Sequence, residues 1–200
     1  MGFDLYGIEP HNPTNAVRPE HLDWSEDHTQ EEKDTYFKDV DDYENTVIGS
    51  YFRNNVWWWR PLWQFVTMIC DDILTETDIN EGGFNGGHRI SKTKSKRIAA
   101  RIRRADKEGV IDTFQAVHDD RRDKANKHNK KVRKELDALS DKVKKELGSD
   151  MVPMDYPEPY KTQWDAIYAK EEWEGHYPFN ADNVREFGKF SDNSGGFEIC

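Results

Sequence analysis

The chain has 200 residues, a net charge of −10, 35% hydrophobic residues and a mean hydropathy of −1.01. That length bounds it to one domain with at most an appendage. An apolar fraction below the ~45–50% of ordinary globular chains leaves one modest core, with a good part of the chain outside it. Bulk acidity argues against a general nucleic-acid coat, and no run approaches the ~18 apolar residues of a membrane span.

The first decapeptide, MGFDLYGIEP, lacks the basic and apolar regions of a signal peptide. Within it Phe3 and Leu5 alternate with Asp4 and Tyr6 before Gly7. This is the period of a short strand with one buried face. Residues 11–45 form a polar insertion. From Glu20 to Asn45 it carries eleven acids against two lysines, with Trp24, Tyr36, Phe37 and Tyr43 among them. Two readings stand for it: a loosely packed acidic loop or insertion with a short helix near Thr29–Val40, or an acidic partner surface or DNA mimic.

Four of the seven tryptophans fall in YFRNNVWWWRPLW, Tyr51–Trp63. Proline disfavours helix in the residue before it and favours the first helical turn, so a helix is expected to start at Pro61. Leu62, Phe65, Val66, Ile69 and Ile73 then share one apolar face, and the helix ends near Leu74. Ahead of Pro61 an extended chain would put Trp57 and Trp59 on one side and Trp58 on the other. Cys70 lies in this apolar stretch and Cys200 is the last residue; two isolated cysteines form neither a disulfide framework nor a metal clamp, and fit a reducing cytoplasm.

EGGFNGGHRI, residues 81–90, is expected to be a loop. Ser91 caps a helix over Lys92–Lys107, with Ile98, Ile102 and Ala105 on one face, and Gly109 stops it. From Val110 to Leu147 apolar positions recur in an eleven-residue repeat, interrupted by Arg121 and His128. One helix of this length spans roughly 55 Å. It is expected either to project and pack on a partner copy, or to break near residues 119–129 into a hairpin. A proline-rich link follows over 151–160, then a short helix over 161–175. Asn180 caps a last helix ending near Phe190, with Val184 and Phe187 inward. FEIC closes as a strand that pairs with the first. The fold expected is α+β, mainly α: a compact helical core (residues 1–10, 46–91 and 151–200), a small sheet from the two termini, and a long charged helical arm over 92–148.

Charge is segregated along this chain. Arg89–Leu147 holds 20 basic and 10 acidic residues, a balance of +10; the remaining 9 basic and 29 acidic residues give −20. The basic segment is free to pair with the acidic part of the same chain, with a neighbouring copy, or with another anion.

Two stretches carry candidate site residues. Arginine grips phosphate or carboxylate in a planar fork and stacks on rings. Arg53, Asn54 and Arg60 around Trp57, Trp59 and Trp63 therefore suit a planar, anionic, nucleotide-like ligand; the same residues also suit a plain core. The NGGH turn ahead of a helix offers backbone N–H groups to an anion, with Asn85 and His88 beside it. It is neither a P-loop nor a Rossmann fingerprint. Asp71, Asp72, Glu76 and Asp78 would hold a divalent ion if they converged. No catalytic or metal-binding motif is present, and no cofactor is expected.

MGFDLYG, YFRNNVWWWRPLW, the NGGH loop and YPFNADNVREFGKFSDNSGGFEIC together resemble a family of small proteins encoded by tailed phages and environmental viruses. The resemblance covers about half of the chain. It implies a viral context and the host cytoplasm, not a mechanism. Relatives run from the first strand almost directly into the aromatic block, and some carry CxxC zinc-ribbon pairs that this chain lacks. The function expected is non-enzymatic binding of a small anionic ligand, with sequestration of a host defence signal as its purpose and a homo-oligomer contact through the arm. Two alternatives are a host-protein or nucleic-acid interaction protein that uses its charged surfaces, and a metal-dependent nucleotide hydrolase.

Overall fold

The computed structural model describes residues 2–148 and 151–200; Met1 of the MGFDLYG block lies outside them. The chain forms two units, Met1–Thr113 with Asn180–Cys200, and Phe114–Phe179.

The first unit is built on one antiparallel sheet. Its strands are β1 (Gly2–Gly7), β2 (Tyr51–Asn55), β3 (His88–Ile90) and β4 (Phe197–Ile199), in the order β2-β1-β4-β3. The two terminal strands pair as the alternation predicts, Leu5 opposite Ile199. The other two strands were not expected: the glycine-rich loop ends in β3, and the aromatic block begins with β2. Phe3, Leu5, Ile90, Phe197 and Ile199 fill the inner face and are buried. The turn into β2 needs Gly49, whose φ is +89° and whose missing Cβ would overlap the backbone of Asn193.

Helix α1 (Gln30–Thr46) lies in the acidic insertion. Thr29 and Glu32 form a capping box at its start, and it buries no residue. Helix α2 (Val56–Ile69) starts five residues earlier than Pro61, with Asn55 accepting from the Trp58 N–H. Pro61 therefore lies inside the helix, and Trp59 and Trp63 become i,i+4 neighbours stacked at 5.4 Å. Full burial of one tryptophan, on the order of 200 Å² at about 25 cal/mol per Å², outweighs the ~3 kcal/mol cost of an interior proline. The helix ends at Ile69, and Ile73 and Leu74 are buried beyond it.

A short helix α3 (Glu76–Glu81) follows, then α4 (Lys92–Lys107), capped by Ser91 as predicted. Helix α4 is not part of an arm. It buries Ser95, Ile98, Ala99, Ile102 and Ala105 and packs on α7 (Ala181–Asn193). The close approach is at Gly188, where a Cβ would press on Ile102, and at Ser95, which donates to the Ser191 carbonyl at 2.6 Å. Its cations find carboxylates in the same unit: Lys92 on Glu9, Lys96 and Arg103 on Asp192, and Arg97 and Arg101 on Asp72.

Helix α5 (Val110–Leu147) is unbroken over 38 residues, about 57 Å at 1.5 Å per residue. It neither breaks nor stands alone. In the second unit the returning chain, with α6 (Tyr160–Tyr168), lies along it. Leu139, Val143 and Tyr156 form a small core joined by Tyr160, Trp164 and Ile167. The polar middle of α5 serves the same contact. Asn129 donates to the Glu172 carbonyl (2.8 Å) and accepts from its N–H (2.9 Å), and His128 bonds the Lys170 carbonyl (2.9 Å). Residues 151–179, expected in the core, thus belong with α5.

Candidate functional site

The eight candidate residues do not converge on one slot, because a strand sends alternate side chains to opposite faces. Trp59 (0% exposed) and Trp63 (5%) are core: Trp59 stacks on Phe3 at 5.4 Å and donates to the Gly82 carbonyl, and Trp63 donates to the Ile79 carbonyl. Asn54 points inward and donates to Asn183 at 3.2 Å. His88 also points inward, its Nε2 3.1 Å from Asp78. Asn85 donates to the Gly2 carbonyl. Trp57 and Arg60 are exposed on α2, three residues apart on its surface. Arg53 alone lies on the outer face of the sheet.

That outer face carries a row of half-buried polar side chains with Arg53 and Arg89 exposed among them. The register places Tyr51, Tyr6, Glu198 and Arg89 side by side across all four strands. Asp4 stands opposite Arg53 in the next row, and its backbone pairs with that of Cys200. The Tyr6 and Tyr51 rings are 5.4 Å apart. The Tyr51 hydroxyl donates to Asp4, whose other neighbour is Arg53 Nε at 3.5 Å. Arg89 Nε sits 2.7 Å from Glu198. Both arginine side chains are 70% exposed. Three inter-strand spacings fix this array, so its members hold their places without a loop to carry them.

The electrostatics make the face a set of hydrogen-bond donors and charges. Burial, with the hydrogen bond to Asp4, raises the Tyr51 pKa, and burial with the Asp4 charge raises that of Tyr6. Burial and then Glu198 raise the Cys200 thiol. At neutral pH the phenols and the thiol all keep their protons. Burial also pushes the Cys70 thiol, inside the core, up to about 12. Neither cysteine has the electropositive setting that makes a thiolate.

The inward polar cluster is a clamp. Asp78 is the N3 residue of the α3 capping box and also takes Lys94 from α4 and His88 from β3. Burial pushes its carboxyl up, but the bonds from Lys94, Thr75 and His88 outweigh that and hold it well below the usual carboxylate range. Asp72 is taken by Arg97 and Arg101. Among the described residues no group of three His, Cys, Asp or Glu side chains is placed to hold a metal ion. No helix among them is long and apolar enough to cross a membrane.

Tyr6, Tyr51, Asp4, Glu198 and Arg89 were missed in the sequence. Their signal was the same alternation that located the strands: in FDLYG and FEIC the residues between the buried ones had to face outward together. No protein-family model matches the chain, and no match is found among curated proteins or solved structures.

Proposed function

We propose that this protein binds a small anionic ligand with a planar ring, of nucleotide type, on the outer face of its sheet. The observation that carries the reading is the row Tyr51–Tyr6–Glu198–Arg89 with Arg53 beside it. A ring stacks on the tyrosines, taking the place of Arg18 over Tyr6; such stacking is worth about 1–3 kcal/mol per base. Arg53 and Arg89 grip phosphate oxygens. Their present pairs with Asp4 and Glu198 are surface ion pairs, each worth about 0–1 kcal/mol. Exchange of a carboxylate for a phosphate therefore costs little. Asp4 and Glu198, once released, accept from sugar hydroxyls or a base N–H. Binding needs no chemical step. The resemblance to phage proteins supports a role in the host cell, where such a binder sequesters a nucleotide signal of host defence.

The test is titration of the protein with a panel of mono-, di- and cyclic nucleotides by calorimetry. Arg53→Ala and Arg89→Ala should each weaken the best ligand 10- to 100-fold, and Tyr6→Ala at least 10-fold. Arg103→Ala, on α4, should leave affinity unchanged. Binding that survives all three substitutions on the sheet, or no binding across the panel, refutes the reading.

A further inference from the structure

The basic segment divides in two. Helix α4 spends its cations on carboxylates of its own unit; in the middle of α5 Arg133 takes Asp137 at 3.5 Å, but one row of lysines has no such ion pair among the described residues. Lys127, Lys130, Lys131 and Lys134 are exposed at i, i+3, i+4 and i+7, one face of the helix, opposite the face that buries Val132, Leu136 and Leu139. Lys124, one turn before, is the member of this stripe that has an acid, Asp120 at 2.6 Å. Like charges at these spacings repel by about 0.2–0.5 kcal/mol per pair. The stripe therefore favours an anion laid along it.

The acidic insertion has the complementary defect. Of its eleven acids between Glu20 and Asn45, Asp42 is the one with an ion pair among the described residues, to Lys38 at 3.0 Å. Helix α1 buries nothing. On its surface Phe37 (55% exposed) stacks on Trp24 (48%) at 5.9 Å. Asp34 and Asp41 flank Phe37 at i−3 and i+4, on the same face. An exposed aromatic pair bordered by carboxylates suits lysine, whose stem covers the rings while its ammonium meets the acids.

We infer that two copies of this chain associate by docking the lysine face of α5 in one copy on the Trp24–Phe37 patch of α1 in the other. Both surfaces occur once per chain, so each finds its complement at equal stoichiometry. A nucleic acid would satisfy the lysines alone. It would meet the −20 carried by the rest of the chain and leave the aromatic patch uncovered. This inference stands on other residues than the sheet-face ligand site and survives that site's failure.

The test is sedimentation velocity of the full chain in 50 mM and 500 mM salt. A dimer is expected at 50 mM, with dissociation at least tenfold easier at 500 mM. The quadruple variant Lys127→Glu, Lys130→Glu, Lys131→Glu, Lys134→Glu should be monomeric. So should the variant Asp34→Lys, Asp41→Lys. An equimolar mixture of the two should restore a heterodimer, which a misfolded variant could not do. Trp24→Ala with Phe37→Ala should weaken the wild-type dimer about tenfold. A monomer at 50 mM salt, a dimer indifferent to salt or to the lysine reversals, or variants that fail to rescue each other would overturn the proposal. A monomer whose lysine stripe instead binds a short DNA duplex at 50 mM salt would overturn it in favour of nucleic acid.

Discussion

Two buried titratable side chains hold parts of this fold together through their charge state. Asp78 joins three elements, since its carboxylate caps α3, meets the His88 ring of β3 and takes the Lys94 ammonium from α4. Asp78→Asn keeps the shape but gives up the charge in each of those bonds. Charge-assisted bonds of this kind are worth about 1.5–3 kcal/mol. The variant should lose about 2–3 kcal/mol in urea unfolding of the first unit, read by the fluorescence of the buried Trp59 and Trp63. Because the folded carboxyl sits below its unfolded value, this stabilisation is present above about pH 4 and fades as the pH falls below it. His118 also loses its contribution on acidification, but as a side chain held neutral and not charged. It is 8% exposed on α5, near the rings of Phe114 and Phe179, with Nδ1 unpartnered. Burial lowers its pKa, so the folded state holds it neutral. Unfolded histidine binds its proton near pH 6.5, so the second unit loses stability as the pH falls from there. A proton NMR titration should place the His118 midpoint below 6.5. His118→Phe should flatten the loss of stability between pH 7 and 5.

At the scale of elements, local signals decide what the sequence reveals. Helix α4 was legible to the residue, because Ser91 and Gly109 mark its ends and both act within a turn of themselves. The start of α7 at Asn180 was legible for the same reason, and each terminal strand was legible from its own alternation of buried and outward residues. Strand β3 was not, because three residues after four glycines carry no period, and its partner Phe197–Ile199 lies more than a hundred residues away. The start of α2 was misplaced because the rule for proline is local and the burial of Trp59 is not. In α5 the apolar repeat does not mark the buried face throughout: Val117 is 49% exposed while its neighbour His118 is buried. The candidate site failed similarly. The tryptophans drew attention by composition, and the structure spends two of them on the core. The cap on α2 supplies a test: Asn55→Ala removes the acceptor for the Trp58 N–H and should cost about 1 kcal/mol in the first unit. If unfolding shifts by less than about 0.3 kcal/mol, the tryptophan packing alone holds the helix start.

On the scale of the whole molecule the acidic insertion is separable from the sheet it interrupts. Its two ends return to one place. The N–H groups of Ile8, Glu9 and His11 donate to the carbonyls of Gly196, Ser194 and Asn193, and Gly49 lies against the backbone of Asn193 and Ser194. Between them α1 adds no buried residue, and Arg18, 5.8 Å over the Tyr6 ring, is the cation the insertion sets on the outer face. Residues 12–45 replaced by about four Gly and Ser residues would shorten a 34-residue loop. Loop closure then gains roughly (3/2)RT ln(34/4), about 2 kcal/mol. The lost cation–π contact gives back about 0.5–1 kcal/mol. The deletion should therefore leave the first unit as stable as before or up to about 2 kcal/mol more stable in urea. A loss above about 3 kcal/mol would show that the insertion is a structural part of the sheet. The same variant separates the two proposed surfaces. It uncovers Tyr6, so nucleotide affinity should hold or rise, and it removes Trp24 and Phe37, so the salt-sensitive dimer should vanish. Ligand binding and self-association lost together would mean that the insertion, not the sheet, carries both.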